Sequence, residues 1–257
     1  MTLKEMLLTE EAEYPGDTFA DRHLGDGYTA FYSDENKELW DANHAIIYPD
    51  KIKDLGRVLE EIKEFYAARQ KEAAIFHPLA DEHYHYFEEN RDVIERCGYE
   101  LSLFDDYRFL ALTGENTIKR QGLIEIELLG GWDDRIANDI ILPSGEPWEL
   151  ASTKKLASKK NCLLFVGFKG EKAVVYSWLH KSLRFNCVGC GYILTAKDCR
   201  GKGYASELLS YIADFCRENG LNNCFHWAGP SERIVRRVGF EDIFTARCGR
   251  INAKLNS

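Results

Sequence analysis

"TAKDCRGKGYASELLSYIADF", Thr195 to Phe215, decides how the sequence is read. The apolar run "CVGCGYILT" leads into it and an amphipathic segment follows, so Arg200, Gly201, Lys202 and Gly203 stand at a strand-to-helix junction. The first N–H groups of a helix lack intrahelical acceptors, and the aligned peptide dipoles add partial positive charge there. Glycine permits positive φ and a close approach of backbone to ligand. Such a junction suits a phosphate. It is neither GxGxxG nor GxxxxGK[ST], so the usual dinucleotide and nucleotide-hydrolysing loops do not account for it.

Outward from the junction, "CLLFVGF" and "KAVVYSWLH" read as strands joined by the turn "KGE". Before them come a strand in "GLIEIELL", a helix in "WDDRIANDIIL" and a helix that Pro147 opens, "PWELASTKKLASKK". After the junction, "ASELLSYIADFCREN" is a helix stopped by Gly220. Next are the strand "NCFHW", the helix "SERIVRRV" stopped by Gly239, and a strand pair over "FEDIFTARCGRINA".

The first half has a comparable order: strands in "GYTAFYS" and "LWDANHAIIY", then a helix in "DKIKDLGRVLEEIKEFYAARQ". The strand "AAIFH", broken by Pro78, and the helix "EHYHYFEENRDVIERC" follow. Two strands, "YELSLF" and "YRFLALT", are parted at Asp105 and Asp106. "NRDVIERCGYE" (Asn90 to Glu100) aligns without gaps to "SERIVRRVGFE" (Ser231 to Glu241), and Leu59, Ile62 and Phe65 match Leu209, Ile212 and Phe215. Matching residues together with matching element order indicate an internal repeat. The expected division is 1–115 and 116–257.

The chain has 257 residues and a formal net charge of −9. Such a surface repels nucleic-acid phosphates, so no nucleic-acid partner is expected. No apolar run approaches the roughly 20 residues that span a membrane, and the acidic N-terminus lacks a signal pattern. A cytoplasmic location without membrane association is expected. The 8 cysteines then read as reduced thiols. Cys187 and Cys190 form an isolated CxxC in a strand, where positions i and i+3 face opposite ways; no metal is expected.

"RGKGYA" resembles the acyl-CoA signature of the GNAT N-acyltransferases, Arg/Gln-x-x-Gly-x-Gly/Ala, as Arg200-x-x-Gly203-x-Ala205. The strand before it, the helix after it and "RIVRRVGFE", which is similar to that family's closing segment, extend the resemblance over about Thr117 to Ala253. It implies an α/β fold: a GNAT-type mixed central sheet flanked by helices, splayed to admit acyl-CoA. A second, degenerate GNAT-like unit at the N-terminus lacks the loop, having only "IIYPDKIKDLGRV" before its helix.

Transferred by position, the resemblance assigns acyl-CoA contacts to Ile193, Leu194, Thr195, Arg200, Gly201, Lys202, Gly203, Tyr204, Ala205 and Ser206. It implies transfer of an acetyl or short acyl group from acetyl-CoA, as cosubstrate, to the primary amine of a small molecule or peptide. The family's tyrosine acid falls at Val235 and its asparagine at Ala228, and the strand before the loop carries no glutamate. His226 and His180 are the candidate replacements in catalysis. The alternative is a noncatalytic acyl-CoA-binding or scaffold protein. A third reading, an aminoacyl-tRNA-dependent transferase of related fold, conflicts with the acidic charge.

Overall fold

The computed structural model describes residues 1–37, 39–145, 147–225 and 229–253. The chain begins with a helix, α1 (Leu3–Thr18), which carries Pro15. Strands β1 (Asp21–Gly25), β2 (Tyr28–Tyr32) and β3 (Ala45–Ile47) come next, followed by helix α2 (Leu55–Ala67) and strand β4 (Ala74–Leu79). Short helices α3 (Tyr86–Glu89) and α4 (Arg91–Arg96) precede β5 (Tyr99–Leu112). After β6 (Glu125–Leu129), a π-helical turn over Ile136–Ile141 continues into α5 (Leu142–Ser144), and α6 is Pro147–Ala157. The remaining elements are β7 (Cys162–Lys169), β8 (Lys172–Lys181), β9 (Cys187–Thr195), α7 (Tyr204–Glu218), β10 (Asn222–Phe225), α8 (Glu232–Arg237) and β11 (Phe240–Ala253).

The chain forms two compact units. The loop unit contains Met1–Glu10, Asp17–Phe19 and Phe109–Ile243; the companion unit contains Glu11–Gly16, Ala20–Arg108 and the chain from Phe244 on. The expected scheme cuts the chain once, after residue 115. The units instead exchange segments: β5 and β11, 14 residues each, both contribute residues to both units.

In the loop unit the strand order is β5-β10-β9-β8-β7-β6. β6 to β9 are antiparallel neighbours, β9 and β10 run parallel, and β10 is antiparallel to β5. The faces follow from alternation along a strand. Phe165 pairs in register with Ser177, and its ring meets Tyr211 and Phe215, so α7 covers that face. Leu208, Leu209, Ile212, Ala213 and Cys216 of α7 are buried. The opposite face carries Tyr176, Trp178 and His180, which meet Glu149 of α6, Phe19 and Glu10 of α1, respectively.

In the companion unit the order is β1-β2-β3-β4-β11. β3 and β4 run parallel and register only at Ala45↔Ile75, while β4 pairs antiparallel with β11 from Leu79↔Arg247 to Ala74↔Asn252. α2 buries Leu55, Val58, Leu59, Ile62 and Tyr66 against Ile47, Ile75 and Ile251. Each such side chain contributes about 1.5–3 kcal/mol when fully buried.

Several sequence expectations need correction. The strands expected on either side of Asp105 and Asp106 are the single strand β5, and the strand pair expected after Gly239 is the single strand β11. β4 continues through Pro78, which lies beyond the last β3 pairing at Ile75, an edge-like place where a missing N–H is tolerated. "LWDANHAIIY" holds a 3₁₀ turn and only the short strand β3. α1 was not foreseen. The two aligned repeat segments do fold alike: Gly98 (φ 77°) ends α4 before β5, and Gly239 (φ 102°) ends α8 before β11.

Candidate active site

The site is built from β8, β9 and the start of α7. Ile193, Leu194 and Thr195 close β9, in register with Ser177, Tyr176 and Val175 of β8. A 3₁₀ turn, Lys197–Cys199, follows; Lys172 at the start of β8 holds it through Asp198 (2.6 Å), and this bond lowers the carboxyl's pKa. Arg200 is exposed and donates from Nε to the Thr195 carbonyl oxygen (3.3 Å). Gly201 and Gly203 take φ of 76° and 86°, the left-handed region that favours glycine. Lys202 stands exposed between them.

Gly203 is the N-cap of α7 and offers no side chain to cap it. The first backbone bond of the helix is Glu207 N–H to Gly203 O (3.0 Å). The N–H groups of Tyr204, Ala205 and Ser206 therefore stand ahead of the helical ladder, at the positive end of its dipole. The buried Glu207 carboxylate accepts from the N–H groups of Gln121, Gly122 and Leu123 at 3.1, 2.6 and 3.3 Å. It thereby anchors that loop to the first turn of α7.

β9 and β10 are parallel neighbours in the sheet. Their pairs are Cys187↔Asn222, Val188↔Asn223 and Gly189↔Cys224, with none beyond Gly189 among the described residues. β9 also bulges: Trp178 pairs with Tyr192 and Leu179 with Cys190, leaving Gly191 extra. A Cβ on Gly191 would fall 1.8 Å from Cη2 of Trp178, and one on Gly189 2.1 Å from Cε1 of His180. Both rings cross from β8 onto β9.

Of the two candidate catalytic histidines, His226 lies outside the described residues, as does Ala228. His180 is buried, with Nε2 3.4 Å from Glu10 Oε2. Glu10 Oε1 accepts from the Ser182 hydroxyl (2.5 Å), whose oxygen accepts from the N–H groups of Arg184 (3.0 Å) and Phe185 (2.9 Å). Sequence reasoning missed Glu10, which is far from His180 along the chain and on a helix that no periodic pattern announces. It also missed Glu149, a buried carboxylate that accepts from Tyr176 (2.9 Å) and Thr153 (3.1 Å) on the same face. Burial pushes the Cys190 thiol up to about 12, which leaves it protonated at neutral pH and a poor nucleophile. Val235 is fully buried. No group of three metal-ligating side chains and no helix long and apolar enough to cross a membrane occurs among the described residues.

Residues 134–240 match the model of the Acetyltransferase (GNAT) family. This segment of the chain belongs to the GNAT family. The GNAT segment holds the bulged β9, the glycine loop and α7. Among solved structures, a GCN5-related N-acetyltransferase from Kribbella flavida is similar to the chain at 13% identity and a TM-score of 0.72, covering 100% of this chain and 97% of its own. A functionally unknown conserved protein from Staphylococcus epidermidis follows at 11% identity and 0.63, covering 99% and 98%. A tandem GNAT protein from the clavulanic acid biosynthesis pathway has 12% identity and 0.55, covering 83% of this chain and 76% of its own. At these identities the likeness is one of fold. No curated protein matches the sequence.

Proposed function

We propose that the chain is an acyl-CoA-dependent N-acyltransferase that moves an acetyl or short acyl group to a primary amine. The observation that carries this reading is the uncapped start of α7, where three N–H groups follow Gly203 at the end of β9. The amides from Arg200 to Ala205 hold the coenzyme's pyrophosphate, with Arg200 and Lys202 supplying charge and Ser206 a hydroxyl. Backbone groups of Ile193, Leu194 and Thr195 face the pantetheine arm, and a β9 N–H near Ile193 stabilises the oxyanion.

In the reaction the amine nitrogen bonds to the thioester carbon, the C–S bond breaks, and the thiolate leaves with the electron pair. An alkylammonium with a pKa of about 10.4 must first lose a proton. We assign that base role to His180, acting through water with Glu10 behind it; the Glu10 contact supports this. The companion unit, lacking the glycine loop, is read as a degenerate GNAT-like unit.

Release of free CoA from acetyl-CoA, measured across a panel of primary amines, tests the reading. The second reading, a noncatalytic acyl-CoA binder, is favoured by the buried Val235 at the family's tyrosine position. Tight CoA binding without release across the whole panel would establish it instead.

A further inference from the structure

The coenzyme site at α7, on which this inference rests, leaves open what meets the acyl end of the donor. The α7 amides lie on one face of the loop unit's strands, and Trp178 lies on the other. A pantetheine arm laid along β9 from the α7 amides passes the stretch beyond Gly189, the last β9 residue paired with β10 among the described residues. The far edge of the Trp178 ring stands there, over the bulged Gly191, and only a residue without Cβ leaves it room. Phe19 packs against the ring (centroids 6.5 Å, planes at 88°) and holds it from the side of α1.

A second, independent observation points to a ligand. The indole Nε1–H of Trp178 has no hydrogen-bond partner, although the residue is only 6% exposed. A buried donor left unpaired is destabilising, and a ligand oxygen at this place would satisfy it.

We propose that Trp178 is a specificity-determining residue that closes the acyl end of the donor site. Its ring edge admits an acetyl or propionyl thioester and excludes longer chains, and its N–H meets an oxygen of the acylated ligand. A shape limit of this kind discriminates by roughly 10- to 200-fold per misplaced methylene.

The test is equilibrium binding of CoA, acetyl-CoA and hexanoyl-CoA to the full chain without acceptor, for the wild type and Trp178→Leu. The wild type is expected to bind hexanoyl-CoA at least about 10-fold more weakly than acetyl-CoA, and Trp178→Leu to erase that difference while binding CoA unchanged. An independent measurement needs no stable variant: the ¹⁵N indole resonance of Trp178 in the wild type should shift with acetyl-CoA and stay where it is with CoA. Undiminished discrimination in Trp178→Leu overturns the proposal, as does the same indole shift with both ligands. Failure of the wild type to bind CoA, which carries no acyl group, would instead sink the coenzyme site itself and this inference with it.

Discussion

α7 and α2 each connect two parallel strands, and they begin in opposite ways. α7 starts at Gly203, in the left-handed region and with no side-chain cap. α2 starts at Asp54, extended, with its carboxylate accepting from Arg57 N–H at 3.1 Å. The cap of α7 supplies no side-chain acceptor, whereas the cap of α2 supplies an anion from its own chain. The strands agree with this contrast. β9 and β10 register at three positions among the described residues. β3 and β4 register at one, and the segments beyond them are joined by His83 and Asp50 (3.1 Å), with Tyr48 set edge-on to His77. On the proposed reading of the companion unit as a degenerate copy, loss of ligand binding needs no change of fold, only a carboxylate at the cap and side chains beside it.

The sharpest way to break the comparison is to give α7 what α2 has. Gly203→Glu places a carboxylate at the open helix end and forces a side chain onto a φ of 86°. CoA affinity in a calorimetric titration should fall on the order of 1,000-fold, about 4 kcal/mol, with the thermal transition retained. Unchanged affinity would show that the loop has another task.

Acid should separate the units next. His44 is buried in the companion unit, stacked on Trp40, and burial holds its pKa down to about 4. A histidine lowered from about 6.5 in the unfolded chain favours the folded state fully above pH 6.5, and that contribution is lost as pH falls from 6.5 towards 4, where only the unfolded chain takes up the proton. The loss is about 3 kcal/mol from this group. His77, lowered mainly by burial as well, acts in the same direction. Chemical denaturation between pH 7 and 4.5 should show it, and His44→Phe should flatten the dependence. An equally steep decline in that variant would assign the effect elsewhere.

The smallest expected change comes from uncapping α2. Asp54→Ala should lower stability by about 1 kcal/mol in a denaturant melt. It should not create a second coenzyme site, because the side chains beside the cap remain. A titration endpoint moving from one to two CoA per chain would mean that the cap alone distinguishes the halves.

Much of this contrast was legible in the sequence. β7, β8 and β9 announced themselves as apolar runs, the first two joined by the "KGE" turn, and α2 and α7 through helical spacing that ends in buried residues. The loop was legible because two glycines with positive φ cannot readily be replaced there. What escaped notice depends on distant partners. α1 mixes acidic residues and Pro15 without an apolar stripe, and Glu10 acquires meaning only beside His180. Asp105 and Asp106 have poor strand propensity and read as a turn, yet β5 continues through them from one unit's residues into the other's. Trp178 carries no signal of its own in the sequence; its unpartnered N–H and its place over Gly191 emerge only once β8 and β9 are in register.

The exchange of segments through β5 and β11 also bears on how the polypeptide leaves the ribosome. β4 acquires its β11 neighbour, residues Arg247 to Asn252, only after nearly all of the chain has been made. A nascent first half would expose an unmatched edge throughout synthesis, the kind of surface that recruits chaperones or sticks to other chains. Expressing either half alone should therefore yield aggregates, whereas supplying both halves as separate polypeptides should restore soluble material.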